Sequence, residues 1–252
     1  MSVTDFLIIL LAGIGAGTIN TVVGSGSLIT FPTLVALGYP PLLANVSNNI
    51  GLVPGGISGA YGYRRELEGQ RVRLRRLLPA SILGALAGAT LLLVLPSSLF
   101  DKIVIVLICI ALVLVVAQPT LSRRLAARRP VGSDGQEGAT LGVQALVALA
   151  GVYGGYFGAA QGIILISILG IMIDDHLQRL NGCKNLLVSS VNAVAATVFV
   201  LATDVDWEVV LAIAVGSVIG GQIGARYGRR LNASALRGVI VVVGIVAVVR
   251  LV

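Results

Sequence analysis

Two short polar stretches interrupt an otherwise apolar chain: Asn45-Val46-Ser47-Asn48-Asn49 and Asn181-Gly182-Cys183-Lys184-Asn185. They stand 136 residues apart (181 − 45), position for position. In each, the first and last amides are four residues apart and share one helix face. Carboxamides supply neutral hydrogen-bond donors and acceptors. Lys184, which stands where the first stretch has Asn48, adds a compact positive charge suited to an oxyanion. The chemistry this pattern implies is non-covalent recognition of a small anion. The alternative is that both stretches are interfacial helix caps, with Lys184 extended toward lipid headgroups.

Two glycine-rich breaks accompany these stretches, Gly24-Ser25-Gly26-Ser27 and Gln161-Gly162. A helix beginning at such a break presents unpaired N–H groups and a partial positive charge, which favour anions. Ser25 and Ser27 are candidate caps, and Asn20 lies just before the first break. The expected substrate-binding set is therefore Asn20, Ser25, Ser27, Asn45, Asn48, Asn49, Gln161, Asn181, Lys184 and Asn185. Ser189 and Asn192 continue the polar stripe below Asn185; either could instead serve helix–helix hydrogen bonding. Gly84, Gly88, Gly216, Gly220 and Gly224 form small-xxx-small patterns that predict close helix packing. His176, the only histidine, lies beside Asp174 and Asp175 and reads as a loop residue, with a proton-linked switch as the alternative. No carboxylate falls in the middle of an apolar run, so no proton or sodium relay is visible. There is no His-Glu-x-x-His pair and no Gly-x-Ser-x-Gly elbow, and Ser25 and Ser27 have no evident base. No catalytic residue, metal or cofactor is expected.

The elements that must hold these residues are membrane helices. Apolar residues make up 56% of the chain and charged ones 12%, with a mean hydropathy of +0.98. That excludes a soluble globular protein. The runs are continuous rather than alternating, which disfavours a barrel and predicts an all-α polytopic fold in a lipid bilayer. They cover 3–23, 27–37, 42–63, 77–95 and 103–117, then 139–158, 163–173, 182–203, 209–225 and 233–252. Residues 27–37 and 163–173 are short, the first covering about half of a hydrocarbon core of ~30 Å, and look like half-helices beside broken helices; full crossing and re-entry are both compatible with the sequence. The net charge of +7 resides in arginine clusters between runs. It suits an anionic cytoplasmic leaflet, not nucleic acid. Cys109 and Cys183 have no motif spacing, and 1–23 reads as a retained first helix rather than a signal peptide.

The step of 136 holds across the whole chain: Gly15 with Gly151, Gly26 with Gly162, Gly84 with Gly220, Gly88 with Gly224, Ser98 with Ser234. This predicts two repeats, 1–116 and 137–252, joined by a basic cytoplasmic linker over 117–136. The loop at 64–76 is basic while its counterpart at 203–208 is acidic; Pro96-Ser97-Ser98 is matched by a segment carrying Arg226, Arg229 and Arg230. Corresponding loops should lie on opposite sides, so the repeats should be inverted in topology, with both termini outside.

Gly15-Ala16-Gly17 through Gly24-Ser25-Gly26, Phe31-Pro32, and Ala44-Asn45 to Asn48-Asn49, repeated in plan in the second half, resemble the sulfite exporter TauE/SafE family of membrane permeases. That resemblance covers essentially the whole chain. It implies transport of sulfite, sulfonates such as sulfoacetate, or related small sulfur-containing anions across the bacterial inner membrane, usually outward. The second half departs from the first, with Ile168 for Pro32 and Ala160 for Gly24, so the two half-sites are not chemically equivalent. The expected function is secondary transport of such an anion by alternating access. An anion channel of the same fold and, more remotely, an intramembrane enzyme are the alternatives. A homo-oligomer is compatible with the sequence.

Overall fold

The computed structural model describes residues 1–127, 139–228 and 233–251, without the side chains of 121–127, 233 and 250. The described residues form ten helices and no strand: α1 (Val3–Val22), α2 (Ser27–Ala36), α3 (Pro41–Gly62), α4 (Arg71–Val94), α5 (Ser97–Ala127), α6 (Leu141–Tyr156), α7 (Gln161–Met172), α8 (Leu177–Ala202), α9 (Trp207–Tyr227) and α10 (Ala233–Leu251). Five of them (α1, α4, α5, α8 and α9) are long and apolar enough to cross a membrane. The starts of α3, α4 and α5 recur 136 residues later (177 − 41, 207 − 71, 233 − 97) as those of α8, α9 and α10.

The helix bounds correct three sequence expectations. Helix α4 begins at Arg71, so Arg71, Arg73, Arg75 and Arg76 are helical rather than part of a loop. Helix α5 continues to Ala127, well into the stretch expected as linker; residues 128–136 lie outside the described part. Gln161 and Gly162 open α7 rather than break a helix. The break falls just before them and is made by Gly158 at φ 77° and Ala160 at φ 60°. The matching break in the first half turns on Gly24 at φ 90°. The left-handed conformation is thus kept at position 160 although Ala160 carries a Cβ that disfavours it.

Small residues let the helices approach at backbone distance. A Cβ on Gly17 would lie 2.3 Å from the Ser217 carbonyl oxygen, and one on Gly220 2.1 Å from that of Ile14. Thr18 Oγ1 adds a 3.1 Å bond to the Gly220 carbonyl. Contacts advance together along α1 and α9, from Leu10 with Gly216 to Thr21 with Gly224, so these two helices are parallel. Helices α4 and α6 pair in the same way, with Gly84 on Ala148 and Gly88 on Val152. The tightest packing therefore joins helices from opposite halves of the sequence. One body comprises α1, α2 and α3 with α9 and α10; the other comprises α6, α7 and α8 with α4 and α5.

The two bodies meet along α3 and α8, which run antiparallel. Gly56 abuts Ser189; Arg64 and Leu67 share a cavity with Leu186, while Ile50 and Val53 share another with Thr197 and Val200. Helices α5 and α10 are also antiparallel, since Leu112 meets Gly244 and Gln118 Oε1 accepts from Arg237 Nε at 3.2 Å.

The α1–α2 pair enters and leaves at one end of the molecule. Met1 N is 2.9 Å from Glu208. The Tyr39 phenol, in the α2–α3 turn, is pushed up by burial and by the nearby Asp206, Asp5 and Glu208 carboxylates. The α6–α7 pair enters and leaves at the other end. There Asp175, in the α7–α8 turn, lies 2.8 Å from Arg73 at the start of α4 and 3.0 Å from Arg179. Both short helices are thus re-entrant.

Candidate functional site

Neither amide stretch caps a helix. The residues before α3 and α8 are Pro40 and His176, and neither side chain makes a capping bond. The polar residues lie one to two turns inside, where Asn45, Asn48, Asn49, Lys184 and Asn185 are buried and Asn181 is half-buried. Interfacial capping is thereby removed as an explanation.

Each stretch docks instead on the end of the opposite half's first broken helix. Asn45 Nδ2 donates to the Tyr156 carbonyl at 3.0 Å, at the end of α6. Lys184 Nζ and Asn185 Nδ2 both donate to the Thr21 carbonyl, at 3.3 and 3.4 Å, at the end of α1. Helix ends leave carbonyls without intrahelical partners, so these bonds meet an existing need. The stretches do not converge on one point. Asn49 and Asn185 are seven and four residues from the α3–α8 crossing at Gly56 and Ser189, which separates them by about 16 Å along the helix axes.

Between them lie the two breaks, back to back. Gly162 N donates to the Gly24 carbonyl at 3.0 Å. A Cβ on Gly24 would fall 2.6 Å from the Gly162 Cα, so glycine is required by the approach as well as by φ. Ser25 and Ser27 are buried beside this contact. Contrary to expectation they do not cap α2, whose N-cap is Gly26 with no side-chain bond. Gln161 lies with its carboxamide over Gly154, and half-buried Asn20 packs its Cβ on Gly26.

Several polar atoms in this region are buried without a hydrogen-bond partner: Ser25 Oγ, Asn45 Oδ1, Asn49 Oδ1, Ser47 Oγ and both amide atoms of Gln161. Each such group is unfavourable by about 1–3 kcal/mol, and native folds keep few of them without a reason. Lys184 is only 1% exposed. None of the ion pairs among the described residues involves it. Its ammonium has three donors, of which one is accounted for by a long bond to a neutral carbonyl. A buried cation without a counter-charge is costly. Two cavities flank the α3–α8 crossing. One, of 370 Å³, includes Ile57, Ala60, Arg64, Leu186, Ser189 and Ser190 in its lining. The other, of 490 Å³, includes Ile50, Val53, Thr197 and Val200.

Sequence reasoning did not find Thr21, which contributes through its backbone carbonyl, or Thr30, whose hydroxyl donates to Asn48 Oδ1. It also missed the clamp at the basic end. There Arg73 NH1 donates to Gln70 Oε1 at 2.5 Å and to Asp175. Gln70 Nε2 donates to the Arg179 carbonyl at 2.9 Å, and Arg179 NH1 to the Glu68 carbonyl at 3.0 Å. No carbonyl has a sequence signature, and arginines in a polar run look like solvated charges until a buried acid is placed beside them.

A multi-pass helical protein with paired re-entrant breaks and a buried, unpaired ammonium has the architecture of a membrane transporter. The chain belongs to the sulfite exporter TauE/SafE family, whose model matches residues 9–251. It is 27% identical over 240 residues to the probable membrane transporter protein ORF9 of Sinorhizobium sp, covering 94% of this chain and 88% of that protein. It is also 27% identical over 238 residues to the probable membrane transporter protein YfcA of Escherichia coli K12, covering 92% and 83%. A probable membrane transporter protein of Haemophilus influenzae is 23% identical over 254 residues, covering 98% and 95%. No solved structure matches the chain significantly.

Proposed function

We propose that this protein is an inverted-repeat secondary transporter that moves small sulfur-containing anions, sulfite or organosulfonates, outward across the bacterial inner membrane. The observation that carries the anion assignment is Lys184, buried on the Thr21 carbonyl with no carboxylate partner among the described residues. The inverted relation of residues 1–116 and 137–252 is supported by the antiparallel α3–α8 and α5–α10 pairs, each made of helices 136 residues apart. The end bearing Arg64, Arg71, Arg73, Arg75, Arg76 and Arg179 is assigned to the cytoplasm and the end bearing Asp5, Asp204, Asp206 and Glu208 to the outside, which puts both termini outside.

The packing supports alternating access. The moving bodies are the two swapped assemblies, not the two sequence halves, and they pivot along the α3–α8 crossing. Lys184 attracts the anion, Asn185, Asn181 and Ser189 orient it, and the paired breaks with Ser25 and Gln161 carry it toward Asn45, Asn48 and Asn49. Counterflow of labelled sulfite in proteoliposomes tests this reading. Wild-type protein should show trans-acceleration. Lys184→Ala, purified as a monodisperse helical protein, should lose at least about thirtyfold of it, in line with the roughly 2 kcal/mol or more that truncating a charged binding partner typically removes. Sulfite flux without trans-acceleration would identify a channel, and an unaffected Lys184→Ala would remove the site.

A further inference from the structure

We infer that the 370 Å³ cavity beside the α3–α8 crossing seats an anionic phospholipid of the cytoplasmic leaflet, its phosphate on Arg64 and an acyl chain along the apolar wall. This rests on the assignment of the basic end to the cytoplasm, not on the choice of transported anion. The cavity is a groove open at the side of the molecule, since Ile57 and Tyr61 in its lining are 57% and 63% exposed. Arg64 stands just past the end of α3 at Gly62, with its guanidinium 4.6 Å from the centre of the Tyr61 ring. One of its N–H donors is used on the Tyr61 carbonyl, at 3.3 Å. No carboxylate pairs with it among the described residues. A tyrosine and an arginine at a helix end suit the headgroup level of a bilayer, and the planar guanidinium fork matches phosphate oxygens.

From Arg64 the groove follows α3 to Ile57, about 10 Å toward the middle of the bilayer. Leu186 and Ala193 form its other wall, on α8. The hydroxyls of Ser189 and Ser190 donate to the Asn185 and Leu186 carbonyls of their own helix, at 2.7 and 2.9 Å. A soluble anion would need donors on several sides to replace its water. An apolar groove with one cation at its headgroup end is complementary to an amphiphile instead. The 490 Å³ cavity is the counterpart of this one by the step of 136: Ile57, Tyr61 and Arg64 correspond to Ala193, Thr197 and Val200, and Leu186 and Ser189 to Ile50 and Val53. Valine thus stands in the outer groove where arginine stands in the inner one. The cation belongs to the groove that faces the anionic leaflet.

Native mass spectrometry of the detergent-purified protein, titrated with phosphatidylglycerol or phosphatidylcholine of equal chain length, tests the inference. Wild-type protein should bind one phosphatidylglycerol at least about tenfold more tightly than phosphatidylcholine, equivalent to about 1.4 kcal/mol. Arg64→Gln should shrink that preference to less than about twofold, and Arg64→Lys should keep most of it. Arg75→Gln, at the same end but outside the groove lining, should leave it unchanged. Equal wild-type affinity for the two lipids, or an equal loss from Arg75→Gln, would overturn the inference. So would displacement of the lipid by equimolar sn-glycerol 3-phosphate, which would make this a site for a soluble anion, or a lipid-free dimer as the sole species, which would assign the face to a second copy. The wild-type comparison decides even if a variant fails to fold. Binding is read without transport, so its failure leaves the transporter reading standing.

Discussion

The two polar stretches occupy the same place in a repeating helix pattern but differ in how they are finished. In the first, Asn48 is already engaged by the Thr30 hydroxyl. Beside it, Phe31 meets Phe157 edge-on with ring centroids 5.3 Å apart, and Phe100 packs against Tyr156 at 5.8 Å. In the second, the lysine has a single neutral acceptor. The residues 136 positions from Phe31, Phe157 and Tyr156 are Ser167, Thr21 and Asn20. The first stretch is neutral and keeps Asn45 Oδ1, Ser47 Oγ and Asn49 Oδ1 unpartnered; the second carries the charge. The two stretches match in backbone position, while the proposed preference for an anion rests on a few side chains of the second half.

The most severe way to break the contrast is to exchange its defining residues. Lys184→Asn should lose about 2–5 kcal/mol of anion binding, the usual consequence of removing one partner from a buried charge pair. Adding Asn48→Lys to that variant should return affinity on the opposite face, read as half-saturating sulfite concentrations measured from each side of oriented vesicles. Equal losses from Lys184→Asn and Asn48→Ala would mean that the two stretches do not differ in role.

A second contrast concerns the breaks. Gly24→Ala drives a Cβ into the Gly162 backbone and should destabilise by about 1–3 kcal/mol. Ala160→Gly, at the matching position, relieves a left-handed alanine at φ 60° and should stabilise by about 1 kcal/mol or less, because glycine's greater freedom in the unfolded chain offsets part of the gain. Thermal unfolding in detergent reads both; a similar loss from each would mean that Ala160 is unstrained.

The smallest expected effect concerns the two ends. Burial works to raise the Asp175 carboxyl, but hydrogen bonds from Arg73, the His176 backbone N–H and Arg179 outweigh it and hold the carboxyl below the ordinary aspartate range. A group held low contributes stability above its unfolded value, and that contribution fades as pH falls through its folded value. Acidification below the usual aspartate range should therefore loosen the α4–α8 corner, seen as faster hydrogen exchange there. The α2–α3 corner has Tyr39 in the matching position and should not respond through this group. Asp175→Asn should show the loosened exchange already at neutral pH.

Much of the scaffold was legible because apolar run length and glycine spacing are dictated directly by the bilayer and by backbone contact. The breaks, the short helices and the 136-residue step came from these cues. The ends of α4 and α5 were not legible. Arg71 to Arg76 signal a loop by charge, yet they sit on a helix whose buried Arg73 has Asp175 as partner. Re-entry of α2 and α7 was equally hidden, since a ten-residue apolar run does not reveal which way it turns. Lys184 was visible as an odd residue, but its acceptor was not, because a main-chain oxygen is present at every position.

The partnership of α1 with α9 bears on how the protein is made. Helix α9 begins 185 residues after α1 ends (207 − 22), which at ribosomal speed is a delay on the order of 10–40 s. Throughout that interval the glycine-lined face of α1 must be tolerated by lipid or by an insertion chaperone. Helix α4 waits a far shorter stretch for α6. The nascent chain is thus most open to membrane proteases before its last helices emerge, and a truncated product would present them with an unmated first helix.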